Sequence, residues 1–216
     1  MSRRILFLGA HPDDVEFGAG GTLARFKRTG AVPCVVVFSK CAASLPPRYP
    51  PDQLVTEMAA SMEVLGVKEY TVHDFPVRHF PASRQEILEK LVELERSNKY
   101  DLVVAPSAGD LHQDHLTLGA EAARAFQTCS MLHYEITKNK SDFLPVTYVP
   151  IAECDLKKKI TAIQCYTSQI ELRARFSDPR NIEAVARVRG MQIRVPFAEA
   201  FEASRILLNE GGAPFS

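Results

Sequence analysis

Two clusters of histidine and aspartate residues stand out in this chain, because each follows directly after a short apolar run. His11-Pro12-Asp13-Asp14 comes at the end of the run Ile5 to Ala10, and His112-Gln113-Asp114-His115 follows Leu102 to Pro106. In an open α/β sheet, the carboxyl ends of the strands line the crevice where ligands bind. The two clusters therefore predict a single site of imidazole and carboxylate groups, as in a metal-dependent hydrolase.

The residue types suit a catalytic zinc ion, which usually takes three protein ligands and keeps a fourth position for water. The candidate ligands are His11, Asp14 and His115. Bound zinc lowers the pKa of its water toward neutrality and polarises a carbonyl oxygen, which are the two effects that amide hydrolysis needs most. We expect one ion per chain, although Fe²⁺, Co²⁺ or Mn²⁺ could occupy the same ligands.

The remaining polar residues of the two clusters are candidates for proton transfer. Asp13 lies between two ligands without being needed as one, so it could take the proton of the attacking water. His112 could donate to the oxyanion or protonate the leaving amine. Asp114 could orient His112 by accepting its other N–H, and Asp110 is an alternative partner for the same imidazole.

The elements that must position these clusters can be read from the apolar pattern. Ile5 to Ala10 and Val32 to Phe38 are typical of strands covered on both faces, with a helix from Phe17 to Arg28 between them. Glycines at the start of this helix allow close backbone approach. Further helices are predicted at Gln53–Leu65, Arg84–Ser97, His115–Phe126, Asp155–Tyr166 and Ile182–Arg189, and further strands at Tyr70–Val72, Leu102–Pro106 and Thr147–Pro150. This alternation favours a mostly parallel, doubly wound α/β sheet.

Composition excludes several classes of protein. The 216 residues, 46% of them hydrophobic, suit one domain spanning residues 1–216. Because 26 basic residues balance 26 acidic ones, no overall field attracts nucleic acid or an anionic membrane. No run approaches the roughly 20 apolar residues of a membrane span, and the start of the chain does not resemble a signal peptide, so a cytoplasmic location is expected. The five scattered cysteines indicate neither a disulfide framework nor a zinc ribbon.

Several motifs together resemble the PIG-L/LmbE-like zinc-dependent N-deacetylases. They are His11-Pro12-Asp13-Asp14, Gly18-Ala19-Gly20-Gly21-Thr22-Leu23, Asp110-Leu111-His112-Gln113-Asp114-His115, Glu57 with Leu65-Gly66-Val67, Ser168-Gln169 and Ala198-Glu199-Ala200-Phe201. The resemblance implies a Rossmann-like fold with helices on both faces of the sheet. It also implies hydrolysis of an N-acetyl group from an amino sugar such as N-acetylglucosamine, or from a sugar conjugate.

The resemblance assigns the same roles to the two clusters as the chemistry does. His11, Asp14 and His115 resemble the zinc ligands of the family. Asp13 resembles its general base, His112 the imidazole that assists the transition state, and Asp114 the orienting partner of that imidazole. Relatives often assemble into oligomers, so self-association is a further expectation.

The chain departs from the family pattern where an arginine often binds substrate, because Leu54 occupies that position. Arg48, Arg78 and Arg84 are the candidates to replace it, since a guanidinium group could bind a phosphate or a sugar hydroxyl. Specificity is expected to lie in the proline-rich stretch Ser39 to Asp52 and in the segment Thr137 to Pro145.

Two alternatives to sugar deacetylation remain open at this point. One is hydrolysis of another amide conjugate, such as a mycothiol- or bacillithiol-like compound, because a fold and its metal site constrain the substrate less than the chemistry. The other is a sugar-conjugate binding protein without turnover. Such a binder would have no need of Asp13.

Overall fold

The computed structural model describes residues 2–139 and 142–208. Its elements in chain order are β1 (Arg4–Gly9), α1 (Asp14–Arg28), β2 (Val32–Val37), α2 (Gln53–Leu65), β3 (Glu69–Val72), α3 (Arg84–Ser97), β4 (Leu102–Pro106), α4 (Gln113–Ala125), β5 (Ser130–Tyr134), β6 (Thr147–Pro150), α5 (Glu153–Gln164), α6 (Thr167–Arg173), α7 (Pro179–Gln192) and β7 (Ala198–Arg205). Among these residues, no helix combines the length and apolarity needed to cross a membrane.

The strands form one seven-stranded sheet in the order β3-β2-β1-β4-β5-β7-β6. Strands β1 to β5 pair in parallel, which confirms the mostly parallel sheet predicted from the sequence. Strand β7 runs antiparallel to both β5 and β6. The sequence analysis missed β7 as a strand, because Ala and Glu in this segment have low strand propensity and its place between two other strands overrides that preference.

Apolar residues cover both faces of the sheet. Along β1, Ile5 and Phe7 pack into one cluster, while Leu6 and Leu8 pack into a second cluster on the opposite face. This alternation follows from the two-residue period of a strand. Helices α1, α2, α5 and α7 contribute to the first cluster, and α3 and α4 to the second, so the expectation of helices on both faces is confirmed.

Helix α1 begins at Asp14, earlier than predicted, and is broken at Ala19, whose φ of −143° is not helical. A buried ion pair satisfies the backbone groups that the break exposes. The Lys159 ammonium donates to the carbonyl of Phe17 at 2.8 Å, and the Glu199 carboxylate accepts from the amide of Thr22 at 2.6 Å. Because Lys159 and Glu199 also contact each other, each charge is compensated inside the protein.

The glycine-rich start of helix α1 lets the helix approach the sheet. A Cβ atom added to Gly18 would lie 2.1 Å from a ring carbon of Tyr134 on β5. The Tyr134 hydroxyl group in turn donates to the carbonyl of Leu8 at 2.8 Å. The predicted close approach is therefore found, and it fixes the helix that carries Asp14 against the strands.

Replacing Gly18 by alanine tests this contact. We expect Gly18→Ala to lower the free energy of unfolding by about 1–3 kcal/mol, as forced overpacking usually does. Gly20→Ala is the matched control, since the nearest atom to its added methyl group would be the Lys159 Cγ, at 3.1 Å rather than 2.1 Å. Urea unfolding of both variants measures the difference, and equal stabilities would contradict the close approach at Gly18.

Candidate functional site

The two predicted clusters meet because β1 and β4 are neighbours. They pair in parallel, with Ile5 opposite Leu102 and Phe7 opposite Val104. Strand β1 also pairs with β2 on its other side, so the strand order reverses direction between β1 and β4. This is the position in a doubly wound sheet where a ligand crevice opens.

Three side chains present their donor atoms to a common point at the ends of these strands. Nδ1 of His11 lies 3.1 Å from Nε2 of His115. The carboxylate oxygens of Asp14 lie 3.3 Å from that His11 nitrogen and 3.2 Å from that His115 nitrogen. Ligand atoms bound tetrahedrally at 2.0–2.1 Å are separated by about 3.3 Å from each other. The donor set therefore fits one zinc-sized ion.

A second carboxylate lies behind each of the two imidazoles. Asp114 contacts Nε2 of His11 at 3.1 Å, and Asp110 contacts Nδ1 of His115 at 3.0 Å. Such carboxylates fix the tautomer and ring orientation of metal-binding histidines. Asp114 is itself held by the backbone amides of Arg78 and Phe80. The inward-facing nitrogens of His11 and His115 are thereby directed at the same point.

This arrangement differs from the pairing predicted for Asp114. The sequence analysis placed its carboxylate against His112, whereas the structure places it against His11. His112 instead caps helix α4, accepting at Nδ1 from the backbone amide of Asp114 at 3.2 Å. The reason is geometric, because residues two apart at a helix start do not face each other. Asp110 likewise meets His112 only through the His112 backbone amide in the contacts described.

His112 is a third imidazole at the same place. One ring nitrogen from each of His11, His112 and His115 lies within 4.8 Å of the others. Burial and, to a smaller extent, the neighbouring His11 lower the pKa of His112 to about 4. Because Nδ1 accepts a hydrogen bond, the proton of the neutral ring lies on Nε2. His112 can therefore act as a neutral hydrogen-bond donor toward the cavity.

Asp13 is half-buried and lines the same cavity. Burial raises its pKa, and the charge of Asp14 raises it further, while His11 and two cations act in the opposite direction. Asp13 lies outside the donor triangle of His11, Asp14 and His115. Its carboxylate is therefore available for proton transfer.

The cavity above these residues has a volume of about 280 Å³. Of the three arginines predicted to bind substrate, only Arg78 is among its described lining residues. Arg48 forms an ion pair with Glu171, and Arg84 pairs with Glu121. A role of Arg48 or Arg84 in substrate binding stays a prediction, because sequence position near a loop or helix start does not show which way a side chain points.

The sequence analysis assigned no role to four polar residues that line the cavity, namely Lys138, Asn139, Gln169 and Arg173. Two signals for them were present in the sequence. Lys138 and Asn139 lie in the segment expected to set specificity, and Gln169 and Arg173 are four residues apart, on one face of helix α6. Leu54, at the position of the usual arginine, also lines the cavity and gives it an apolar wall.

A comparison with known families matches residues 6–126 to PIG-L, described as GlcNAc-PI de-N-acetylase. The match covers both histidine clusters and more than half of the chain. The chain belongs to the PIG-L family. This confirms the resemblance that the motifs indicated.

A curated protein with a name of its own is similar to this chain. The 1D-myo-inositol 2-acetamido-2-deoxy-alpha-D-glucopyranoside deacetylase of Kineococcus radiotolerans is 28% identical over 160 residues, which is 57% of this chain and 44% of the relative. The chain thus aligns with less than half the length of that enzyme.

Solved structures confirm the fold. The N,N'-diacetylchitobiose deacetylase of Pyrococcus horikoshii has a TM-score of 0.77 at 22% identity, covering 94% of this chain and 84% of that one. The 4-carboxy-2-hydroxymuconate hydratase of Pseudomonas putida has a TM-score of 0.75 at 20% identity, covering 96% and 98%. The same fold therefore occurs in proteins named for different reactions.

A buried hydrogen-bond network holds the segment His11 to Asp14 in place. The Tyr166 hydroxyl group donates to the carbonyl of Pro12 at 2.6 Å and lies 2.7 Å from a carboxyl oxygen of Glu16. Ser61 donates to that same Glu16 oxygen. Burial raises the pKa of Glu16 to about 7. The turn between His11 and Asp14 is thus anchored to helices α2 and α5–α6, a contact that no sequence motif indicated.

Replacing Asp114 by asparagine tests whether its carboxylate serves His11. We expect Asp114→Asn to weaken zinc binding by about 10- to 100-fold, as loss of a carboxylate behind a metal-binding histidine usually does. Competition with a chromophoric chelator measures the affinity, and the exposed Asp74 provides an Asp74→Asn control. Unchanged zinc affinity would place Asp114 outside the metal centre.

The raised pKa of Glu16 gives a pH dependence of stability. The unfolded chain releases this proton near the ordinary value of 4.5 and the folded chain near 7. Glu16 therefore lowers the free energy of unfolding as the pH rises from 4.5 to 7, and its effect is constant above that range. We expect Glu16→Gln to remove this part of the slope in urea unfolding of the metal-free protein. A Glu89→Gln variant on the exposed face of helix α3 should retain the wild-type slope, and parallel profiles for wild type and Glu16→Gln would contradict the assignment.

Proposed function

We propose that this chain is a metal-dependent hydrolase that removes an N-acetyl group from an amino sugar or a sugar conjugate. The donor triangle of His11, Asp14 and His115, with Asp13 beside it in one cavity, carries the proposal. Membership of the PIG-L family and the deacetylase names of its relatives support it.

His11, Asp14 and His115 are the residues that would hold the ion, and their mixed nitrogen and oxygen donors favour Zn²⁺. When bound there, the ion would acidify a water molecule and polarise the acyl oxygen. Asp110 and Asp114 keep both histidines in the orientation that this requires.

The remaining steps follow from the positions of Asp13 and His112. As a water molecule attacks the acyl carbon, Asp13 accepts its proton, and the negative charge moves to the acyl oxygen. The Nε2–H group of His112 donates a hydrogen bond to that oxygen. Asp13 then returns the proton to the leaving nitrogen as the C–N bond breaks, so the products are a free amine and acetic acid, which ionises to acetate.

The cavity suits a substrate group of about the size of one sugar ring, since its 280 Å³ is near the lower end of small-molecule sites. Asn139 and Gln169 line the cavity and offer amide groups that can bind hydroxyl groups. Phe17 and Leu54 provide apolar walls. This mixture of polar and apolar surface is typical of sites that bind sugars.

Acetate release from a panel of N-acetylated sugars and nucleotide sugars tests the proposal. We expect release by the zinc-loaded protein and none after chelation. Asp13→Asn should retain the metal and lose about 10²- to 10⁴-fold in kcat, because it removes the proton acceptor. Asp74→Asn, at an exposed carboxylate that is not among the described lining residues of the cavity, is the matched control and should keep wild-type activity.

Two outcomes would contradict the proposal. Acetate release by the chelated protein would exclude a metal-dependent reaction. Tight metal binding with no acetate from any member of the panel would favour hydrolysis of another amide conjugate, or a binding role without turnover.

A further inference from the structure

Helix α6 contributes two side chains to the lining of the cavity. They are Gln169 and Arg173, which lie four residues apart on one face of the helix. The helix has only seven residues. Because isolated helices shorter than about 12 residues are marginal in water, contacts with the rest of the protein must hold α6 in place.

The start of α6 has no cap from the residue that precedes it. The side chain of Tyr166 makes no capping hydrogen bond to the first turn of the helix. Its hydroxyl group contacts Pro12 and Glu16 instead. The free amides at a helix start are usually satisfied by a side-chain oxygen, so α6 needs an acceptor from another segment.

Glu57 of helix α2 provides that acceptor. Its carboxylate accepts from the Ser168 backbone amide at 2.9 Å, from the Ser168 hydroxyl group at 2.7 Å and from the Thr167 hydroxyl group at 2.9 Å. Gln53, one turn earlier in α2, donates a fourth hydrogen bond at 2.9 Å. Glu57 is 5% exposed and Ser168 is fully buried, so these contacts are shielded from water.

None of these four donors is a cation. A carboxylate at the N-terminus of a helix is stabilised by the positive end of the helix dipole and by the amides that it accepts from. The Glu57 carboxylate therefore caps α6, and the start of α6 in turn stabilises its charge.

A second contact of α6 lies on the surface of the protein. Glu171 pairs with Arg48 at 3.0 Å, and the two side chains are 61% and 60% exposed. Exposed ion pairs contribute little to stability, because water and salt screen them. The buried contacts of Glu57 are therefore the stronger constraint on the position of α6.

We propose that Glu57 is a positioning residue for substrate binding, whose carboxylate caps α6 from α2 and thereby holds Gln169 and Arg173 in the cavity lining. The proposal rests on the deacetylase function proposed above. Glu57 is not among the described lining residues of the cavity, so it acts on the substrate through α6. Because α2 also carries Leu54, the same contact fixes two helices of the cavity lining relative to each other.

Steady-state kinetics of the zinc-loaded protein test this role. The substrate is N-acetylglucosamine, or the sugar of the panel with the highest rate if N-acetylglucosamine is not hydrolysed. We expect Glu57→Ala to raise KM about tenfold or more and to change kcat less than about threefold, because a displaced α6 no longer presents its side chains to the sugar. Glu57→Gln should stay within about threefold of the wild-type KM, since its amide has the same shape and keeps an oxygen for the Ser168 amide.

Glu63→Gln is the matched control, because Glu63 is exposed on the same helix, and it should keep the wild-type KM. Ser168→Ala removes only the hydroxyl contact and should raise KM about threefold, so it tests the cap if Glu57→Ala does not fold. Zinc affinity of the folded variants should stay within about twofold of the wild type, since the hydrogen bonds described for Glu57 do not involve the donor triangle.

A background that lacks both cavity side chains separates positioning from a general loss of stability. When Glu57→Ala is added to Gln169→Ala, Arg173→Ala, KM should rise less than about twofold, because the groups that Glu57 positions are already absent. An increase of about tenfold in that background as well would overturn the proposal. A fall of kcat with unchanged KM in Glu57→Ala, or a KM equal to that of Glu63→Gln, would also overturn it.

Hydrogen exchange reports on α6 without turnover. We expect the amides of Ile170 to Arg173 to exchange about tenfold faster in Glu57→Ala, and those of the buried strand β1 less than about threefold faster. Unchanged exchange in α6, or equal acceleration in both elements, would overturn the specific role of Glu57. Absence of acetate release by the wild type would contradict the deacetylase function, and selectively faster exchange in α6 would then still support the cap.

Discussion

The parallel pairing of β1 with β4 is the contact on which the site depends, because each strand delivers one of the two polar clusters. The clusters are separated by about a hundred positions in the chain, and only this pairing brings His11 within 3.1 Å of His115. Short loops after the two strands leave their residues little freedom. The positions of the donor atoms are thus set largely by the sheet. Ligand crevices open in doubly wound sheets where the strand order reverses, as it does between β1 and β4.

Buried charged groups make the site rigid, and their burial is unfavourable in free energy unless each has a partner. Asp110 and Asp114 are almost fully buried, and each contacts an imidazole. Asp114 also accepts from two backbone amides and Asp110 from one. Removing one partner of such a group leaves an unpaired buried charge, which is strongly destabilising. The ion pair of Lys159 and Glu199 compensates two buried charges in the same way at the break in helix α1. These buried pairs fix the orientation of neighbouring side chains and backbone groups more than they add stability.

The solved structures show that this fold is found in a deacetylase and in a hydratase. Fold similarity at this level of identity therefore leaves the reaction undecided, and the argument for hydrolysis comes from the site and from the PIG-L family. The cavity lining is where this chain differs from the expected pattern. Leu54 stands in place of an arginine there, and Lys138 and Arg173 are among the cations that line the same cavity.

Much of the fold could be predicted from the sequence. The apolar period identified β1, β2 and β4 and helices α2 and α3, because each is buried in a way that leaves a regular pattern. Strand β7 was missed, since its residues favour a helix and only its neighbours β5 and β6 hold it in the sheet. Helix α6, which carries Arg173, is only seven residues long and too short to show a period.

The sequence by itself determined the family, the mostly parallel sheet and the identity of the residues that converge at the strand ends. These three features depend on local composition and on the direction of the strands, and both follow from the order of residues along the chain. Tertiary structure alone decided which partner each residue has: Asp114 serves His11 rather than its sequence neighbour His112, and Arg84 pairs with Glu121 away from the cavity. Side-chain direction at a helix start or loop depends on contacts with distant segments, and no spacing along the chain records those contacts.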